Sequence, residues 1–234
     1  MKTKTNSLQK TKRLTIVALF CALSFVVSAV LPIKVPPFLT LDFKDSVSAI
    51  CGMFFGPVSG LFCAIAVPFI EFLTTSTTGV YGLIMNLLSS ITFVGVSTLI
   101  YKYKKTIWGA VIGLATAAVS TVAVMLVANL LITPYYMGVT MGDVLALIPK
   151  LLFPFNLVKT VLNAGITMLL YKPISKVLKR MRITKSAEEK KELTAEEKAN
   201  LRMRSLVVTV LSIFVVIVAL WIVFFVFKGE FTSI

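Results

Sequence analysis

The chain has 234 residues, 57% of them hydrophobic and 15% charged, with a mean hydropathy of +0.93 and a net charge of +14. These values describe an integral membrane protein without a sizeable soluble domain, and because Lys and Arg fall mostly between apolar segments they set orientation and give no footprint for nucleic acid. Histidine is absent, and Cys21, Cys51 and Cys63 sit singly inside apolar stretches, which removes imidazole bases, Ser-His pairs and zinc or disulfide frameworks.

Residues 1–13 carry five basic side chains and no acid, and Leu14 to Leu31 follow with no charge. This predicts a first span entering from the cytoplasm, with a cleaved leader as the rival reading. Ala18 and Ala22 form a small-xxx-small pair, which lets two membrane helices approach closely. Residues 32–44 form a proline-containing loop in which Phe38 to Phe43 alternate in an extended pattern. The apolar run 45–73 is either one tilted helix or two spans broken at Gly56-Pro57. Charge decides. With a tight turn there, segments 1–13, 101–106 and 172–204, holding 19 of the 24 basic residues, share one side of the membrane, as the positive-inside tendency requires. Two spans, about 45–55 and 57–73, are therefore expected.

The fourth span, about 80–100, places Gly82, Asn86, Ser89, Ser90 and Ser97 on one face, expected to look inward. The fifth, 107–132, opens with Gly109, Gly113 and Ala117 as a close-packing surface and ends with Asn129 and the pair Tyr135-Tyr136. A long outer loop through Gly138 and Asp143 leads to the sixth span, Asn156 to Tyr171, which Pro154 is expected to start. Helical spacing gathers Asn156, Lys159, Thr160, Asn163 and Thr167 within an arc of about 100°. A lysine at that depth costs about 3 kcal/mol or more unless something polar accompanies it, so this face marks a ligand site, with snorkelling of Lys159 as the rival reading. A charged connector follows, with capping-box spacing at Ser186/Glu189 and Thr194/Glu197. Last come 23 uncharged residues, Ser205 to Phe227, long enough for a seventh span of anchoring or packing character.

The carboxylates outside the connector, Asp42, Asp45, Glu71, Asp143 and Glu230, are scattered over separate elements and are not paired for acid-base or metal chemistry. Glu71 is read as an interfacial acid satisfied by Thr74 or Thr75. No phosphate-binding G-x-x-x-x-G-K-[ST] run is present. Binding is supported, whereas an enzyme or a self-powered pump is not.

Ala18-xxx-Ala22, Leu41-Asp42-Phe43, Phe55-Gly56-Pro57, Asn86, Asn129 to Tyr135 and Pro154-Phe155-Asn156-xx-Lys159 together resemble the S components of energy-coupling factor (ECF) vitamin transporters. The resemblance covers roughly residues 10–183 and is strongest to the riboflavin-specific members. It implies an all-α polytopic fold with a six-span core in a bacterial cell membrane, with Ala18 and Ala22 contacting a scaffold subunit that works with two cytoplasmic ATPases. It further implies a pocket for substrate arriving from outside, lined by Leu39, Thr40, Leu41, Asp42 and Phe43 of the first outer loop, by Asn86, by Asn129 and Tyr135, and by Asn156, Lys159 and Asn163. Riboflavin would be the transported ligand and no cofactor is implied. Asparagine amides can match the alternating acceptors and donor of a flavin pyrimidine edge, Lys159 can donate to a ring carbonyl or a ribityl hydroxyl, and Phe38, Phe43, Tyr135 and Phe155 can wall the ring. The expected organisation is a six-span core at 1–183, a connector at 184–204 and an added span at 205–234, with the N-terminus cytoplasmic and the C-terminus extracellular. Flavin mononucleotide, with Lys34 and Lys44 near the mouth for its phosphate, or another vitamin, is the alternative ligand. A membrane enzyme acting on lipid head groups is the alternative class.

Overall fold

The apolar runs fold as helices because in hydrocarbon each backbone amide and carbonyl must be paired inside its own segment. The computed structural model describes residues 2–36, 38–180, 195–227 and 230–231. Among these, the helices are α1 (Lys2–Val30), α2 (Lys44–Phe55), α3 (Pro57–Thr74), α4 (Gly79–Tyr103), α5 (Ile107–Met137), α6 (Met141–Leu147), α7 (Phe153–Arg180) and α8 (Ala195–Trp221). A hairpin of β1 (Ile33–Val35) and β2 (Leu39–Leu41) joins α1 to α2, and β3 (Glu230–Phe231) adds to the free edge of β1.

Six helical runs are long and apolar enough to cross a membrane among the described residues. The exception is α2, whose 12 residues extend only about 18 Å at 1.5 Å per residue. It is almost wholly buried, packed among α1, α3, α4 and α7, so it never has to match the bilayer by itself. The break after it is where the sequence places it. Gly56 adopts φ +94°, which only glycine takes without strain, and Pro57 starts α3 with the preset φ of a first helical residue. Arg13 of α1 donates to the Phe55 carbonyl at that turn, covering the exposed end of α2 with a cation as the helix dipole favours.

Membrane helices gain little from burying apolar surface, because lipid is as apolar as leucine; close packing over small residues holds them together. A Cβ added at Gly60 would lie 2.7 Å from the Gly52 Cα, so α2 and α3 meet backbone to backbone. A Cβ at Gly113 would lie 2.8 Å from the Ser97 carbonyl oxygen, and the small-residue surface of α5 is the one set against α4. Phe93, Val94, Ala110, Leu114 and Ala117 fill that seam. Leu19, Leu23, Phe62, Phe69, Val119, Val127, Leu211 and Phe214 point outward, an apolar belt suited to lipid.

Three expectations change. The outer loop before the sixth span is largely helical: Thr140 and Asp143 form a reciprocal capping box that starts α6, and a π-helical turn over Ile148–Leu152 carries the chain into α7. The helical run therefore begins well before Asn156, with Pro154 accommodated in the first turn of α7. The connector is not separate from the last span, since α8 already runs from Ala195. The Ser186/Glu189 spacing and Thr194 lie outside the described residues. The seventh helix itself is present, and packs along α7.

Candidate functional site

At the hairpin end of the bundle, α4, α5, α7 and the hairpin surround a half-open cavity. Phe38, Leu39 and Thr40 come from the hairpin, Tyr81, Met85, Asn86 and Ser89 from α4, Asn129, Thr133 and Tyr136 from α5, and Phe155, Asn156 and Lys159 from α7. Of the polar face read from α4, Gly82, Asn86 and Ser89 line this space, whereas Ser90 and Ser97 are buried elsewhere in the bundle. Phe38 and Tyr136 pack with ring centroids 5.9 Å apart, and Tyr81 meets Tyr136 edge-on at 6.2 Å, so three rings gather at the mouth.

The amides are only partly committed. The Asn156 Nδ2 donates to the Leu152 carbonyl at 2.7 Å. The Asn129 Nδ2 donates to the Met125 carbonyl at 2.7 Å, while its Oδ1 accepts from the Thr133 hydroxyl at 3.0 Å. Each bond orients an amide and leaves further donor or acceptor capacity. The side chain of Asn86 makes no hydrogen bond among the described residues and is half-buried on the cavity wall.

Lys159 is accompanied, as its depth requires. Its Nζ lies 2.9 Å from Asp42 Oδ2, and the same oxygen lies 3.0 Å from Lys44 Nζ. Lys44 in turn reaches Glu71 Oε2 at 3.1 Å, and Ser28 of α1 donates to Glu71 Oε1. A continuous buried chain therefore runs from the cavity wall on α7 through the segment after β2 and the first residue of α2 to α3 and α1. Buried pairs of this kind add modest net stability when intact, but removing one partner strands a charge and costs about 3–5 kcal/mol. Asn163 braces the same segment. Its Nδ2 donates to the Asp42 carbonyl at 3.0 Å, and its Oδ1 accepts from the Ser46 amide at 3.1 Å and from the Ser46 hydroxyl at 2.7 Å.

Leu39, Thr40, Asn86, Asn129, Asn156 and Lys159 line the cavity; the other expected lining residues stand elsewhere. Leu41 is buried in the hairpin's inner core and Phe43 packs against that core. Asp42 and Asn163 lie behind Lys159, as its support. Tyr135 is 78% exposed and faces away from the cavity. Its neighbour Tyr136 takes the place on the wall because one residue turns a helix by about 100°; the signal was available, since Asn129, Thr133 and Tyr136 share one face at the i, i+4, i+7 spacing. Tyr81, one turn before Met85, was missed with no comparable cue. Lys44 is not at the mouth: it is 1% exposed and ion-paired twice. The Glu71 carboxylate is held by Lys44 and Ser28, while the Thr75 hydroxyl reaches only the Glu71 backbone carbonyl, so the scattered acids Asp42 and Glu71 are brought to one lysine by the fold. On α1, Ala18 and Ala22 are both exposed.

A multi-span helical bundle with a half-open polar and aromatic cavity at one end, backed by the buried ion pairs of Asp42 and Glu71, is built as a membrane solute-binding component. The family model described as the substrate-specific component of ECF transporters matches residues 12–171, and the chain belongs to that family. It is a transport component and not an enzyme. It is 30% identical over 183 residues to the riboflavin transporter RibU of Staphylococcus aureus (strain TCH60), an alignment covering 75% of this chain and 96% of that one. A solved structure of the S component of a bacterial ECF transporter superposes with a TM-score of 0.63 at 28% identity, over 73% of this chain and 99% of that one.

Proposed function

We propose that this chain captures riboflavin from outside the cell and presents it, within an assembly of a membrane scaffold subunit and two cytoplasmic ATPases, for ATP-driven uptake. The observation that carries the reading is the ring of Asn86, Asn129, Asn156 and Lys159 around one cavity whose walls are Phe38, Tyr81, Tyr136 and Phe155. Amides serve both the acceptors and the donor of a flavin's pyrimidine edge, and the aromatic rings suit a flat tricycle. The riboflavin transporter named above supports the same ligand.

Riboflavin is favoured over its phosphate ester. A phosphate needs an uncommitted cation, but Lys44 is buried against Asp42 and Glu71, and Lys159 is paired to Asp42. Lys34 is exposed on the hairpin and does not line the cavity. Charge orients the chain: residues 1–13, 101–106 and 172–204 hold 19 of the 24 basic residues and face the cytoplasm, which puts the hairpin, the cavity mouth and the C-terminus outside. Ala18 and Ala22, exposed on α1, form the surface that meets the scaffold. The organisation that fits is a six-span core in residues 1–183, a link, and α8 as an added span. Titration of purified protein with riboflavin and with flavin mononucleotide, read by quenching of flavin fluorescence, tests the ligand. Equal affinity for the two would remove the argument from committed lysines.

A further inference from the structure

The family match ends at residue 171, well before α8, yet α8 is built into the site's support. Its buried positions Val208, Ser212 and Ala219 form one stripe that Val223 continues in the π-helical turn Ile222–Val226 after it, and Leu206, Val210, Leu211, Phe214, Ile217 and Trp221 face outward. The docking is close: a Cβ added at Gly165 of α7 would lie 2.8 Å from Val216 Cγ2. At the hairpin end, Ala219 and Val223 share a core with Ile33, Val35 and Leu41 of the hairpin and with Phe155, Val158 and Leu162 of α7. Phe155 belongs to that core and to the cavity wall alike. Beyond α8, the chain returns as β3 and pairs with β1 in the register Ile33↔Phe231 and Lys34↔Glu230.

The hairpin needs this help. It consists of two strands of three residues each, and an isolated two-stranded hairpin is marginal; a third strand or packing against a helix is what makes such a unit hold. Here α8 supplies the packing and β3 the third strand. The hairpin also carries Phe38, Leu39 and Thr40 into the cavity and leads directly into Asp42, the partner of Lys159. We propose that the C-terminal helix and its terminal strand are a clamp on the substrate-binding hairpin, and that this extension sets how slowly the bound substrate leaves. As regards the substrate, the inference rests on the riboflavin reading above; as regards the clamp, it does not.

Because the clamp secures contacts made in the bound state, its loss shows in the dissociation rate more than in the association rate. Two shortened chains test it, one stopped after residue 227 to remove β3 alone and one stopped after residue 204 to remove the apolar, core-packed part of α8 as well. Backbone hydrogen exchange reads the hairpin without any ligand. Stopping after 227 is expected to quicken exchange at Ile33 to Val35 about tenfold, and stopping after 204 to do so across residues 33–41, with α4 and α5 unchanged. Riboflavin dissociation should quicken at least about tenfold in the chain stopped after 204, with association within about threefold of the full chain. Unchanged hairpin exchange in the chain stopped after 227, or unchanged exchange and dissociation in the other, overturns the clamp. Should the shorter chain not be recovered folded, the longer one decides by exchange alone. Should the full chain not bind riboflavin, the ligand reading fails and the exchange data still judge the clamp.

Discussion

The ammonium of Lys159 on α7 and the carboxylate of Asp42, 117 residues earlier in the chain, meet at 2.9 Å behind the wall of the cavity. The pair, with the Asn163 bonds beside it, ties the segment leaving the hairpin to the helix that carries Asn156, so two walls of the cavity are held together. Asp42 is shared with Lys44, and Asp42→Asn would take from Lys159 its ion-pair partner and leave Lys44 paired with Glu71 alone, with Asp45 buried nearby outside any ion pair among the described residues. A loss of about 3–5 kcal/mol is expected, seen as a lowered midpoint of thermal unfolding in detergent. Lys159→Met, which removes the cation at the wall, should weaken riboflavin binding at least about tenfold. Asp42→Asn with unchanged unfolding and affinity would show that the pair holds nothing in place.

The amides are expected to act by leaving a ligand edge unpaired when removed. Asn156→Ala and Asn86→Ala should each cost about 1–3 kcal/mol of binding, or about 5- to 150-fold in affinity. Tyr136→Ala should weaken binding in the same titration, because it takes a ring from the mouth, whereas Tyr135→Ala, on the exposed side of the same turn, should leave affinity within about twofold. A stronger effect from Tyr135 than from Tyr136 would contradict the placement of α5.

Orientation is open to labelling. In a background without the three native cysteines, single cysteines at Lys34 and Lys150 should react with an impermeant thiol reagent in intact cells, and those at Lys104 and Lys176 only after permeabilisation. All four native side chains stand exposed. Lys44 is unsuitable, being buried. Labelling of Lys104 from outside would reverse the assignment of sides.

Ala18 and Ala22 both face outward, so enlarging them disturbs no contact inside the chain. Ala18→Arg and Ala22→Arg should retain riboflavin affinity and lose uptake together with co-purification of the scaffold, because a bulky side chain forfeits the close packing that small residues permit. Normal uptake with the scaffold retained would take these residues out of the contact surface.

Much of the fold was legible because bilayer thickness and backbone pairing leave few choices. The break at Gly56-Pro57 followed from charge alone, and the inward face of α4 from its spacing of small and polar residues. The helix α6 was not legible, since its seven residues carry no periodicity long enough to separate from a loop, although the Thr140/Asp143 cap was a cue. In the site, Asn86, Asn129, Asn156 and Lys159 stood out because polar groups in apolar spans demand a reason. The support did not. That Asp42, Lys44 and Glu71 converge is a property of how the hairpin returns the chain to α2 and α3, and no local pattern encodes it. Tyr135 is implied by the family resemblance, and rotation about the span puts Tyr136 on the wall in its place.

Whether the cavity holds riboflavin is read from the absorbance spectrum of protein purified from riboflavin-fed cells. The protein is expected to be yellow, with flavin retained at close to one per chain and lost when Asn156 and Lys159 are replaced together. A colourless protein that also fails to quench the fluorescence of added riboflavin would contradict riboflavin as the ligand.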